Sequence, residues 1–268
     1  MNVVTLAAYQ VEAFNTSKAS ENKIHDDAVA RRFGFSGGLV PGVDVYGYMA
    51  HQPVARWGRA WLERGVMECR LKKPVYDGEV AEVTAAEGAD GLLLEVSSRG
   101  VLCATGTATL PEVGGVAPGL EKIAAPPVPP EERPAADEAS LAVGTRLGIR
   151  PLLVTAGFAE EYLRDVRETD PLYRREGLVH PATILRVGNW VLSHNVVLGP
   201  WMHVGSTVRH FSAALVGDEI SARGLVTANY DHKGHRFVEV AVLVVANGAA
   251  VVAEIAHTAI YRPRQVAG

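Results

Sequence analysis

The sequence predicts an α+β fold made of two tandem modules, each with a central helix wrapped by an antiparallel sheet. Three observations carry that expectation. A proline-rich stretch divides the 268-residue chain near its middle. Short landmarks recur on either side of it at nearly constant spacing. Each half also holds one long helical pattern followed by runs that alternate with period two.

The dividing stretch is residues 111–139, PEVGGVAPGLEKIAAPPVPPEERPAADEA, which takes seven of the fifteen prolines. It lacks the apolar periodicity of a packed element, and proline favours extended backbone, so a semi-rigid linker is expected there. It separates an N-terminal module, 1–110, from a C-terminal module, 140–268. Ser20-Glu21-Asn22-Lys23-Ile24-His25 aligns with Glu168-Thr169-Asp170-Pro171-Leu172-Tyr173, a spacing of 148. The phrase Gly38–Gly42 aligns with Gly177–Pro181 at 139, and Val75–Glu79 with Leu215–Glu219 at 140. Spacing that nearly holds over three landmarks indicates a duplicated unit.

Along the first half, Asn22 is a preferred N-cap for a helix over 24–32, with Asp26 and Asp27 as favourable charges in its first turn. After Gly42, VDVYGYMAHQPVARWGRAWL keeps helical spacing, and Pro53 is expected to kink or reset it. The paired Trp57 and Trp61, four apart, suit helix packing. Residues 67–72 alternate as a half-buried strand should, and 92–97 and 101–109 are rich in strand formers. In the second half, PATILRVGNWVLSHNVV places Pro181 at the first helical position. Strands are expected over 219–228, 237–245 and 251–261, with Lys233-Gly234 and Asn247-Gly248 as hairpin turns.

Composition narrows the function. With 26 Lys+Arg against 30 Asp+Glu the net charge is −4, and there is no basic block to neutralise phosphates, so nucleic-acid binding is not expected. Cys69 and Cys103 form no CxxC pair, and His232-x-x-His235 has no partner at zinc-like spacing, so no metal is expected. No Walker loop, GxGxxG or GxSxG phrase occurs, and no cofactor is expected. The start MNVVTLAAYQ lacks a basic leader region and no window reaches 18 apolar residues. A cytoplasmic protein without a membrane partner is the expectation.

The segment NKIHDDAVARRFGFSGGLVPG, 22–42, resembles the MaoC-like, R-specific enoyl-CoA hydratases of the hotdog fold, whose motif reads D-x-N-P-x-H and ends in a glycine-rich A-H-G phrase. The resemblance covers both halves and implies a double hotdog with its helices side by side, and a homodimer by analogy with such proteins. It implies an acyl-thioester site between the modules, with an acyl-CoA or acyl carrier protein thioester as partner. Carried over by position, the histidine is His25, the asparagine Asn22, and the glycine whose N–H polarises the thioester carbonyl is Gly42. The aspartate position holds Ser20, the motif proline is Lys23, and the A-H-G histidine is Pro41. In the second half the same slots hold Glu168, Asp170 and Tyr173, with His180 at the A-H-G position.

These residues imply a hydratase or dehydratase in which His25 moves a proton, Gly42 polarises the carbonyl, and Ser20 with Asn22 positions water or substrate. Asp44 and Pro41 complete the candidate set as substrate-binding residues. Two other readings stay open: a thioesterase that uses a carboxylate such as Asp44, and a non-catalytic acyl-thioester-binding protein. Each named residue also has a structural role available to it. His25 suits a loop cap, Gly42 a tight turn, Asp170 a turn before Pro171, and His180 packing at a helix start.

Overall fold

The computed structural model describes residues 5–264. The N-terminal module runs through β1 (Tyr9–Glu12), α1 (Asp27–Arg32), α2 (Gly42–Trp57), α3 (Arg59–Arg64), β2 (Val66–Leu71), β3 (Val80–Glu87), β4 (Leu92–Ser98) and β5 (Val101–Thr109). The C-terminal module follows with β6 (Arg146–Gly148), β7 (Leu152–Leu153), α4 (Ala156–Asp165), α5 (Leu172–Glu176), α6 (Pro181–Ser193), β8 (Met202–His210), β9 (Glu219–His232), β10 (His235–Ala246) and β11 (Ala250–Arg262). The strands make one antiparallel sheet in the order β1-β3-β4-β5-β2-β8-β11-β10-β9-β6, with β7 also on β9. The modules join at β2 and β8, where Val66 pairs with Arg209 and Arg70 with Gly205.

The duplication is exact in spacing where the backbone crosses from loop to helix. The isolated bridges Leu39–Tyr76 and Leu178–Leu215 repeat 139 residues apart, as do the hydrogen bonds from Val40 to Val75 and from Val179 to Ala214. The third landmark therefore sits at 139, one residue from the sequence alignment. Each bridge ties the strand that precedes a central helix to the turn that precedes the sheet.

α2 and α6 lie side by side on the concave face of the sheet. Because sheet and partner helix enclose them, they are apolar nearly all round, as a helix surrounded by protein must be. Val43, Tyr46, Met49 and Val54 of α2 and Leu185, Val187, Val191 and Leu192 of α6 are buried. Pro53 lies within α2 without ending it; the helix stops at Gly58, whose φ of 60° suits glycine. Pro181 is the first residue of α6, as expected. The segment 24–32 is two pieces: a 3-10 turn at Lys23–His25 capped by Asn22, and α1 capped by Asp26, whose carboxylate accepts from the Ala28 and Val29 amides. Asp26 competes for those amides, which is why one continuous helix does not form.

Both expected hairpin turns are present, with φ positive at Lys233 and Gly234 and at Asn247 and Gly248, the signature of a type I′ turn. The proline-rich stretch does pack. Ile123 is buried against Leu243, Val245 and Val251 on the outer face of β10 and β11. Arg223 donates to the Leu120 and Ile123 carbonyls. Two apolar side chains suffice because alternation along β10 turns Leu243 and Val245 outward while Val242 and Val244 face the main core.

Candidate functional site

Two cavities of about 380 and 330 Å³ lie on either side of one group of residues. His25, Asn22, Pro41, Asn189 and Trp201 line both. Ser20 lines the first cavity alone, with Arg186, Arg133 and Ser193; Gly42 lines the second alone, with Val45, Leu71 and Lys73. The first is therefore the more polar of the two, though Val43, Val196 and Leu198 also line it, and the second is mostly apolar. The junction lies between the modules, with His25 from the N-terminal one and Asn189 and Trp201 from the C-terminal one.

The 3-10 turn aims His25. Its Nδ1 lies 2.6 Å from the Leu39 carbonyl. A carbonyl can only accept, so Nδ1 carries the proton and Nε2 keeps its lone pair. The Asn22 amide stands 3.3 Å from Nε2. Asn22 is itself held on both sides: its Oδ1 accepts from the Trp201 and Ile24 amides, and its Nδ2 donates to the Trp201 carbonyl at 3.0 Å. Burial pushes the His25 pKa below its usual value, against opposing pulls from the Leu39 carbonyl and the Asp44 carboxylate. Near neutral pH the ring is uncharged, with one nitrogen ready to accept a proton.

Gly42 opens α2, with Pro41 as its N-cap. The Gly42 amide has no acceptor among the described residues, as expected for the first turn of a helix, where donors and the helix dipole favour negative charge. A Cβ here would overlap the end of Leu71 and come within 2.9 Å of His203 Nδ1. Glycine is thus required by close approach, at a φ any residue could adopt.

Among the described residues the Ser20 hydroxyl makes only a long contact, 3.4 Å, donating to the Asn22 carbonyl. Asp44 is fully buried and lines neither cavity. Its carboxylate accepts from Tyr162 at 2.8 Å, Arg186 at 2.9 Å and Thr16 at 2.6 Å. It braces α2 to α6 and does not reach substrate space; this corrects its placing among substrate-binding residues. Pro41, in contrast, lines both cavities. No carboxylate hydrogen-bonds His25 among the described residues.

The matching slots of the second half are occupied differently. Glu168 is buried, accepts from His51 Nδ1 at 2.9 Å and from the Asp170 amide at 2.7 Å, and lies 3.5 Å from His180 Nε2. Burial alone would raise its pKa, but the close approach of His180 and the hydrogen bond from His51 outweigh that and hold it well below the carboxylate range. His180 Nδ1 accepts the Ala182 amide, capping α6. Asp170 accepts from the Leu172 amide, making the expected turn around Pro171. Tyr173, in the histidine slot, is buried with its hydroxyl unpartnered.

Sequence reasoning missed Asn189, Trp201, Arg186 and His51. A signal for the helical pair was present: Arg186, Asn189 and Ser193 form a polar stripe at i, i+3, i+7 on an otherwise apolar helix. Trp201 enters through its backbone, which leaves no mark in a sequence. Among the described residues no group of His, Cys, Asp and Glu could hold a metal ion, and no helix is long and apolar enough to cross a membrane.

The fold and its helix pair define a double hotdog protein. No family model matches the chain, and no curated protein matches it in sequence. Among solved structures it is similar to a protein described as a MaoC domain dehydratase from Chloroflexus aurantiacus, with a TM-score of 0.63 at 13% identity over 98% of this chain and 95% of the other. A conserved Mycobacterium tuberculosis protein described as a double hotdog gives 0.61 at 16%, covering 95% of both chains. A protein described as an oleoyl thioesterase from Lactobacillus plantarum gives 0.52 at 12%, covering 99% and 98%. These likenesses establish the architecture; dehydratases and thioesterases share it.

Proposed function

We propose that the protein is a hydro-lyase acting on an enoyl or 3-hydroxyacyl thioester of coenzyme A or an acyl carrier protein. In the hydration direction His25 Nε2 takes a proton from water as the oxygen bonds to C3 of the 2-enoyl thioester. The C2=C3 π electrons move toward the carbonyl, and the resulting oxyanion is stabilised by the Gly42 N–H. Protonation at C2 by the His25 imidazolium completes the addition and restores the neutral ring. Ser20 holds the water, and Asn22, tied to the Trp201 backbone, positions the His25 ring.

The observation that carries this reading is the convergence of a neutral imidazole, whose unprotonated Nε2 accepts only the 3.3 Å contact from the Asn22 amide among the described residues, and an unpaired helix-start amide on adjoining cavities. A positioned acid or base contributes about 10²–10⁴ in rate, and one oxyanion donor about 2.7–4 kcal/mol. With no carboxylate behind His25, the Leu39 carbonyl fixes the tautomer but offsets little of the imidazolium charge. The thioesterase alternative loses ground because both Asp44 oxygens are already engaged.

The test is hydration of crotonyl-CoA and longer 2-enoyl-CoAs, followed by loss of the enoyl chromophore. His25→Ala is expected to lower kcat/KM by about 10²–10⁴ while the melting temperature is retained. Undiminished turnover in that variant overturns the role of His25. Release of free thiol would instead indicate a thioesterase, and tight binding without turnover an acyl-thioester-binding protein.

A further inference from the structure

The substrate's orientation follows from which cavity each reacting group faces. Gly42 lines only the apolar cavity, so the thioester carbonyl lies toward that side. Ser20 lines only the polar cavity, so C3 and everything beyond it lie there. The pantetheine arm then leaves between Val40, Val45 and Leu71, past the exposed Lys72 and Lys73, neither of which has a carboxylate within 4.0 Å among the described residues. Two unneutralised ammonium groups at that mouth suit the phosphates of a coenzyme or carrier.

The acyl group is thereby directed into a space where charged groups stand beside apolar ones such as Val43, Val196 and Leu198. Arg186 lines it from α6 with its side chain 19% exposed. Its Nη2 donates to Asp44 and Thr16, while its Nε and Nη1 find no acceptor among the described residues. Packing of the guanidinium on the Tyr162 ring at 4.5 Å fixes it in place. Asn189 Oδ1, at the junction, is buried without a partner among the described residues and is an acceptor, so the donors that face this cavity are those of the arginines. Arg133 also lines this cavity, but its charge is already paired with Glu21 beside it and its Nη1 donates to the Ser193 carbonyl at 2.6 Å, so Arg186 is the cation with N–H groups to spare. A methyl-ended chain here would dry these donors without replacing their water, whereas a carboxylate would accept from them.

Resting on the hydro-lyase reading above, we infer that the acyl group carries a distal carboxylate: the substrate is a short dicarboxylic acid bound as its monothioester, and Arg186 is the residue that selects it. The acyl carbons and the carboxylate of a four- or five-carbon diacid fit easily within about 380 Å³.

The experiment compares pairs that differ only at that end. Succinyl-CoA against butyryl-CoA, and glutaryl-CoA against pentanoyl-CoA, which have no double bond to hydrate, are titrated calorimetrically from freshly prepared solutions; fumaryl-CoA against crotonyl-CoA is assayed for hydration. The wild-type protein is expected to bind each carboxylate-bearing thioester at least tenfold more tightly, and to show at least a tenfold advantage in kcat/KM for fumaryl-CoA. Arg186→Gln should remove the difference, and Arg186→Lys should restore part of it. Because Arg186 also braces Asp44, both variants are checked by thermal melting, and the wild-type comparison stands without them. Equal or tighter binding of butyryl-CoA overturns the inference and leaves the hydro-lyase reading intact. Failure of every thioester to bind or react overturns both.

Discussion

Acid should unfold this protein well before its carboxylates protonate, because histidines are sealed inside it. His203 and His210 are both buried, and burial lowers each pKa from 6.5 to about 4. The unfolded chain therefore binds protons at these sites that the folded chain refuses. Their contribution is complete above pH 6.5 and is lost as pH falls toward 4, the sense required for a depressed folded-state pKa. Between pH 7.5 and 5 each site costs about 2 kcal/mol, about 4 kcal/mol together, on the linkage relation. His257 is shifted further in the same direction by burial and by its neighbour His203. A domain's whole stability is about 5–15 kcal/mol, so the loss is large.

Urea unfolding at pH 7.5 and 5.0, read by tryptophan fluorescence, measures it. His210→Gln should take about 2 kcal/mol off the pH-dependent drop, since among the described residues the His210 ring makes no hydrogen bond and only an edge contact with Trp61 at 5.3 Å. A stability that stays level across that interval, or a His210→Gln protein with the full drop, refutes the reasoning. The result also bears on activity. In the proposed reaction His25 is a neutral base, so kcat/KM should fall below pH 6.5 along a reversible limb with midpoint under 6.5. That limb must be measured where the fold still stands.

Other outcomes follow from the same geometry. Gly42→Ala should lower hydration at least tenfold, since the added methyl presses on Leu71 and His203 and shifts the amide; activity within twofold of wild type would remove Gly42 from the site. Asp44→Ala leaves Arg186 without its carboxylate and should cost about 3–5 kcal/mol in chemical unfolding, as breaking buried ion pairs does. A homodimer is the expected assembly, and light scattering that gives a monomer mass at micromolar concentration would exclude it.

The architecture was more legible than the site, and for a physical reason. Strands such as β2 and β5 and both hairpin turns announce themselves through local alternation and Asn-Gly or Lys-Gly pairs. The duplication shows because two loops must make the same bridge before each helix. The site draws on pairs remote in sequence: Asn22 meets the Trp201 backbone 179 positions away, and His51 meets Glu168 at 117. Asp44 shows the limit. A carboxylate in the first turn of a central helix looks equally fit for catalysis or bracing, and only the arrival of Tyr162 and Arg186 from the other module decides it.

The two motif slots have diverged into different trades, and that divergence can be tested. The first keeps a histidine and a free helix-start amide but has no acid. The second keeps an acid, Glu168, yet its helix opens on Pro181, which has no N–H, and the next amide is taken by His180. No helix-start amide remains there to stabilise an oxyanion as the Gly42 N–H would, so the Glu168 cluster does not reproduce the arrangement of the first slot. Its work is to hold α2 to the C-terminal module through His51, which stacks on Tyr9 at 3.8 Å. Glu168→Gln should therefore cost about 2–4 kcal/mol of stability, within the range for breaking a buried charged pair but softened because glutamine keeps the shape. Enoyl-CoA hydration by the folded fraction should change less than twofold. If instead the variant melts normally and loses turnover, the acid that the first slot lacks is being supplied from the second, and the site must be redrawn around His51.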